Sequence, residues 1–462
     1  MIATIARHTF TEAVRDGRFR VAAGLVVILV TLSGLLGWQA VRALEREAAG
    51  ASNAERSRWL GQGDKNPHSA AHYGVHAFKT PRPLAVLDPG VQPYLGSILY
   101  LEAHRQNEPL YRPAQDTTAA ARLGDLSAAL VGRTLLPLLV ILLGFAALAG
   151  ERESGTLRQL LSLGVTPRAL LAGKALGLGG ALALVLIPPA LLGLAAATML
   201  APPGQRGDEW ARAVLWIGVH ALYATTFLFL TLAVSARVRS SRIAIVVLLT
   251  FWLVTVVAWP RLLSDLGRWW HPTPSQLAFR DALDAALGDP HGRETLEVQR
   301  QAILKHYGVT STADLPVNWA GIALQFGEER ANGLFDRHYG AVWSTLDAQD
   351  RLFQFGSLAS PAPALQLLSQ ALTGNDTGHH RAFLRQAETH RRAMQVTLNG
   401  ALRDSKSSPS PFRWETIPVF HYQPPVLREA LAPLVPSLAL LFAWSAAAAA
   451  AALWSVRHLT PR

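Results

Sequence analysis

Six stretches of this 462-residue chain are long and apolar enough to cross a bilayer, and they limit the possible folds more than any other feature. They lie at 21–38, 126–148, 169–200, 213–234, 243–259 and 431–454. The first carries no charge, and the second is interrupted only by Arg133 near its start. The third is longer than a bilayer needs, roughly 48 Å at about 1.5 Å per residue, and Pro188-Pro189 should kink or break it. Composition agrees: half the residues are apolar and 16% are charged, against about 25% in a soluble domain. The fold class expected is an all-α membrane protein with six transmembrane helices. The first run reads as a retained helix and not as a leader, because Glu12 and Asp16 precede it and no small-residue cleavage site follows. There is no cysteine, so disulfides and thiolate metal sites are excluded.

The net charge of +11 could suggest nucleic acid, but its distribution does not. If both termini are cytoplasmic, the inward pieces are residues 1–20, 150–175, 235–242 and 455–462. These hold thirteen basic residues and four acidic ones. Segment 39–125 has ten basic and nine acidic residues, and segment 260–430 has seventeen of each. That is the positive-inside pattern, so the expected partner is a lipid bilayer and not nucleic acid. Trp38, Trp210, Trp216 and Trp259 near outer ends, and Trp454 at an inner one, fit an aromatic belt.

Residues 1–20 read as an amphipathic interfacial helix. Two large insertions, 39–125 and 260–430, lie on the outer side and read as mostly helical. The first opens with a helix over 39–60 and then turns proline-rich. The second has helical blocks at Ser275–Leu287, Arg293–Tyr307, Leu324–Phe355 and Gly378–Leu402, separated by turn signals such as Gly288–Pro290 and Ser407–Pro411.

Between the second and third spans, residues 149–168 form a short inward loop. Leu157, Leu160, Leu161 and Val165 make an apolar stripe, and Gly164 ends that helix. Thr166-Pro167 is an N-cap and first-turn pair for the third span. Such a helix could dock into a groove on a cytoplasmic partner or lie on the lipid surface. The string Glu151-x-Glu153-x-Gly155-Thr156-Leu157, then Leu160-Leu161, Thr166-Pro167-Arg168 and Gly173-Lys174, resembles the cytoplasmic loop of type-2 ABC exporter permeases. That family has six spans, inward termini, an interfacial N-terminal helix and a coupling helix between spans two and three. The resemblance implies that Glu151, Glu153, Gly155, Thr156 and Leu157 open the coupling helix. It further implies that Leu160 and Leu161 face an ATPase, and that Pro167, Arg168 and Lys174 set the start of the third span. The strings at Asn66–Val75, Asp88–Val91 and Glu102–Asn107 resemble a subgroup of these permeases that carries such insertions. No G-x-x-x-x-G-K-[ST] motif is present, so the chain is expected to be no enzyme and to bind no cofactor of its own. ATP and Mg would sit on a separate ATPase subunit, beside a second copy or a similar permease, in a bacterial inner membrane. The alternative from another class is a non-transporting scaffold or sensor that binds an envelope partner through its ectodomains.

Other candidates are weaker. His68, His72 and His76 at i, i+4 and i+8 would align on one helix face and could bind zinc or copper, joined by His104 or Glu102. Pro67 and Gly74 interrupt such a helix, so polar surface histidines are the expectation and no metal is assigned. Arg133 is expected to snorkel outward, or else to line a transport path. His379-His380, His390 and Trp269-Trp270-His271 suggest no mechanism, and no span carries the residues of an intramembrane hydrolase.

Overall fold

The computed structural model describes residues 1–110, 112, 126–407, 411–457 and 459. The close of the first insertion, the middle of the 407–411 turn and Arg462 lie outside the described residues. Within them, six helices are long and apolar enough to cross a membrane. The only sheet among the described residues is a hairpin of β1 (Val75–Phe78) and β2 (Ile98–Leu101), antiparallel, with Val75 opposite Leu101.

The chain begins with α1 (Ile2–Arg15), and Asp16 then adopts an extended backbone that breaks the helix. The Asp16 carboxylate accepts from the Arg18 amide at 2.7 Å and so caps α2 (Gly17–Leu60). At about 1.5 Å per residue this 44-residue helix is about 66 Å long, twice the apolar thickness of a bilayer. It runs on past the first span because residues 39–60 contain no proline and are rich in Ala, Leu, Glu and Arg. Val21, Leu25, Ile28, Leu32 and Leu35 form an exposed stripe along it, as a lipid-facing side requires.

Beyond α2, the described residues of the first insertion form short helices, α3 (Pro67–Ala71), a 3-10 turn at Pro83–Val86 and α4 (Gln92–Leu95), around the hairpin. As the proline-rich stretch suggests, prolines and positive-φ glycines at 74, 90 and 96 cut the described part after α2 into turns. The second span is α5 (Ala128–Gly144), capped by Ser127. Two short helices, α6 (Ala149–Glu153) and α7 (Thr156–Ser162), lead to α8 (Pro167–Met199), the third span. This helix runs unbroken through Pro188-Pro189, which dispense with two backbone hydrogen bonds in one turn without ending it. The fourth span is α9 (Arg206–Arg237). The fifth is α10 (Ser241–Trp252), a π-helical stretch at Leu253–Ala258, and α11 (Trp259–Trp270), which carries on beyond the expected end.

The second insertion holds α12 (Gln276–Leu287), α13 (His291–Tyr307), α14 (Trp319–Phe355), α15 (Pro361–Thr373) and α16 (Thr377–Asp404). After α17 (Leu427–Leu431), α18 (Val435–Val456) forms the sixth span. All four helical blocks foreseen in this insertion are present. α15 was not foreseen: it lies almost wholly buried in the same apolar core as the spans. A second core joins the two insertions, with Trp59, Leu99, Phe383, Met394, Trp414 and Tyr422 in contact across them. Trp59 donates to the Trp414 carbonyl at 3.0 Å, and the two rings meet edge to face at 5.6 Å. The insertions are therefore one folded unit standing on one end of the helix bundle.

Candidate functional site

The end of the bundle that carries both termini is held together at α6. Ser235, fully buried on α9, donates to the Phe145 carbonyl at 2.8 Å and accepts from the amides of Leu148 and Ala149 at 3.0 Å. This satisfies the backbone where the second span ends. The three charged residues of α6 then reach three different spans. Glu151 pairs with Lys174, buried on α8, at 2.5 Å. Arg152 donates to the carbonyls of Ala236 at 2.6 Å and of Val238, at the open C-terminal end of α9. Glu153 accepts from the Ser241 amide at 3.0 Å and its hydroxyl at 2.7 Å, at the first turn of α10. One short helix is thus tied to the third, fourth and fifth spans.

Gly155, at φ +78°, turns the chain into α7. A Cβ there would meet nothing within 4 Å, so the backbone angle and not crowding calls for glycine. On α7, Leu157 is buried and Leu160 and Leu161 pack half-buried against the chain's own core, as does Val165 beyond the helix end. Thr156, Arg158, Gln159, Ser162 and Arg168 are exposed, Pro167 is half-buried in the first turn of α8, and Leu163 is 82% exposed. The sequence reading did not single out Leu163. The signal was available: at 100° per residue it falls off the stripe made by 157, 160, 161 and 165, so it must face away from the core.

A groove of about 680 Å³ runs beside this helix, between α1, the end of α5 and the start of α8. Its wall includes His8 and Glu12 of α1 with Gln159, Leu160, Leu163 and Lys174. The expected interfacial helix α1 packs directly on α8, because Gly173 and Gly177 leave room for it. A Cβ on Gly177 would come within 2.6 Å of the Ala6 carbonyl oxygen.

At the opposite end, α15 fills the space among the second, fourth and sixth spans. Ser360 caps it and donates to the Thr255 carbonyl in the π-helical stretch at 2.7 Å. Trp216 donates to Ser369 at 2.9 Å, and Ser369 donates to the buried Asp88 at 2.6 Å. Burial raises the Asp88 carboxyl above the usual range, against the hydrogen bond from Ser369 that lowers it. The Asp88–Val91 string becomes a turn latched to the link between α15 and α16: Val91 donates to the Asn375 carbonyl at 2.8 Å, and Asn375 donates to the Asp88 carbonyl at 2.8 Å. Arg133 donates to Gln366 of α15, so it engages the inserted helix. Arg82 and Arg212 share Asp208 at 2.6 and 2.7 Å and reach the Pro425 carbonyl, joining both insertions to the fourth span. Trp216 is buried and Trp259 donates to the Gly356 carbonyl at 2.8 Å, so these two indoles serve the inserted unit and do not form a headgroup belt.

The histidines regroup. Helix α3 stops at Ala71 and Gly74 turns the chain into β1, so the alignment at i, i+4 and i+8 is lost. His76 on β1 pairs with Glu55 at 2.6 Å. His68, His72 and His104 come together, each offering a nitrogen within 4.8 Å of the others, and Glu102 is not among them.

Residues 3–269 match the family described as ABC-2 family transporter protein. Residues 279–423 match a domain of unknown function (DUF3526). No curated protein matches the chain. The first match takes in α1, five spans and the 149–168 loop, and the second covers most of the second insertion.

Proposed function

The chain belongs to the ABC-2 transporter family, and from that premise we propose that it is the permease of an ATP-driven exporter whose ATPase is a separate subunit docked on residues 149–168. The observation that carries the reading is the three-way tie of α6 to the third, fourth and fifth spans. A force applied to the exposed edge of α7 is delivered to three spans at once, because each tie is short and each is made by a charged side chain of α6. Glu151 and Glu153 act in this account as internal struts, and Arg158, Gln159, Ser162 and Leu163 meet the partner. Leu163 is suited to anchor the contact, since an exposed leucine beside a groove gains by burial about 2 kcal/mol.

The bundle end bearing α7 faces the cytoplasm, as the excess of basic residues there favours. Two permeases and two ATPases make the working unit, and ATP-driven closure of the ATPases tilts the spans. On the outer side α15 fills the space among the second, fourth and sixth spans and must shift if substrate is to leave there, and Arg133 holds it through Gln366. The absence of native cysteine makes a direct test simple. Leu163→Cys, treated in native membranes with a thiol-reactive photocrosslinker, is expected to yield an adduct that contains an ATP-binding subunit. Trp210→Cys, at the other end of the bundle, is expected to yield none. An ATP-binding adduct from position 210 and not from 163 would overturn both the docking surface and the orientation.

A further inference from the structure

We infer that His68, His72 and His104 form a binding site for a divalent transition-metal ion, zinc in the first instance, at the seam between the two insertions. His68 stands on α3 and His72 follows its last residue, four positions on, and the two rings lie 5.0 Å apart. The third arrives from the strand end after β2, so the set exists only in the folded chain. The three rings lie 4.9 to 5.2 Å apart, centre to centre. Zinc–nitrogen bonds of about 2.0–2.1 Å in tetrahedral array need nitrogens about 3.4 Å apart. The rings therefore close on the ion by side-chain rotation, with the backbone left in place.

Two independent features point to a missing ligand. Nδ1 of His68 is buried and has no hydrogen-bond partner. Glu328, buried on α14, sets its Oε1 3.0 Å from Nδ1 of His104, and Asn399 holds its other oxygen at 2.6 Å. A carboxylate behind one ring nitrogen fixes the ring and leaves the other nitrogen to the metal, which is the usual support of a histidine ligand. The site opens on a hollow of about 750 Å³ lined by Trp319, Leu324 and Gly327 of α14. Three imidazoles with a fourth position open to this hollow suit zinc, copper or nickel and not magnesium or calcium. Bound there, the ion would fasten the end of α3 to the segment after β2, with Glu328 of α14 beside one ligand.

The test uses the full-length protein in detergent, stripped with a chelator and titrated with zinc chloride, with bound metal counted after desalting. The wild type is expected to retain one zinc per chain and to melt at a higher temperature with zinc. His72→Ala, an exposed position whose loss spares the fold, and His104→Ala are expected to weaken binding at least 100-fold and to abolish the rise in melting temperature. Glu328→Gln is expected to weaken it by about 10- to 100-fold, and His306→Ala, elsewhere on the surface, to change nothing. No retained zinc in the wild type would overturn the inference. So would an equal stoichiometry and affinity in His72→Ala, which would place the metal on other histidines.

Discussion

His380 shows what one buried titratable group does to the unit built from the two insertions. It sits on α16, 3% exposed, and burial together with the Lys79 and Arg112 charges pushes its pKa down to about 3. The unfolded ring titrates near 6.5. Because the folded value is the lower one, the unfolded chain binds more protons between pH 6.5 and 3, and stability falls as pH falls through that window. The loss amounts to about 2 kcal/mol by pH 5. Thermal melts of the full-length protein should therefore drop between pH 7 and pH 5, and His380→Phe should flatten that drop. An unchanged slope in the variant would assign the acid sensitivity to other groups. At this scale the sequence was legible in part. Glu151 and Glu153 stood out by their string, yet their partners Lys174 and Ser241 lie 23 and 88 residues away, beyond any local pattern. His68 and His72 could be paired by spacing, while His104 joins them only through the hairpin that carries it over.

Among the elements, α1 on α8 is the contact most open to attack. Glycine at 173 and 177 lets the two helices approach closely enough for a Cβ at 177 to meet Ala6 and Thr9. Gly177→Leu is expected to lift α1 from the bundle and make Arg15 and Arg18 cleavable by trypsin in native membranes, while the spans stay inserted. Continued protection of this segment in the variant would show that lipid, and not α8, holds the helix. The spans and the long blocks of the second insertion were legible because 3.6-residue periodicity and long apolar runs are strong signals. α15 was not: thirteen residues are too few to read as a span, and a short apolar helix looks the same whether it packs in an ectodomain or among membrane helices. What places it is Ser360, Gln366 and Ser369, each bonded to a residue far away in sequence.

For the whole molecule, the two ends do different work. The end opposite α7 is one unit built from both insertions, anchored by buried charges and filled by α15. The other end gathers α1, α6 and α7 around a groove and ties them to three spans. Family membership accounts for the second end, and the first is where this chain departs from a bare six-helix permease. In the proposed function, a separate ATPase drives the molecule by docking on α7. Its most direct test is isolation of the tagged full-length protein from native membranes in mild detergent, with the eluate assayed for ATP hydrolysis and for associated subunits. A co-purifying ATP-hydrolysing subunit is expected, lost in Leu163→Asp with Arg158→Glu and retained in Arg133→Ala. Intact protein that arrives without any ATPase across several mild detergents would contradict it.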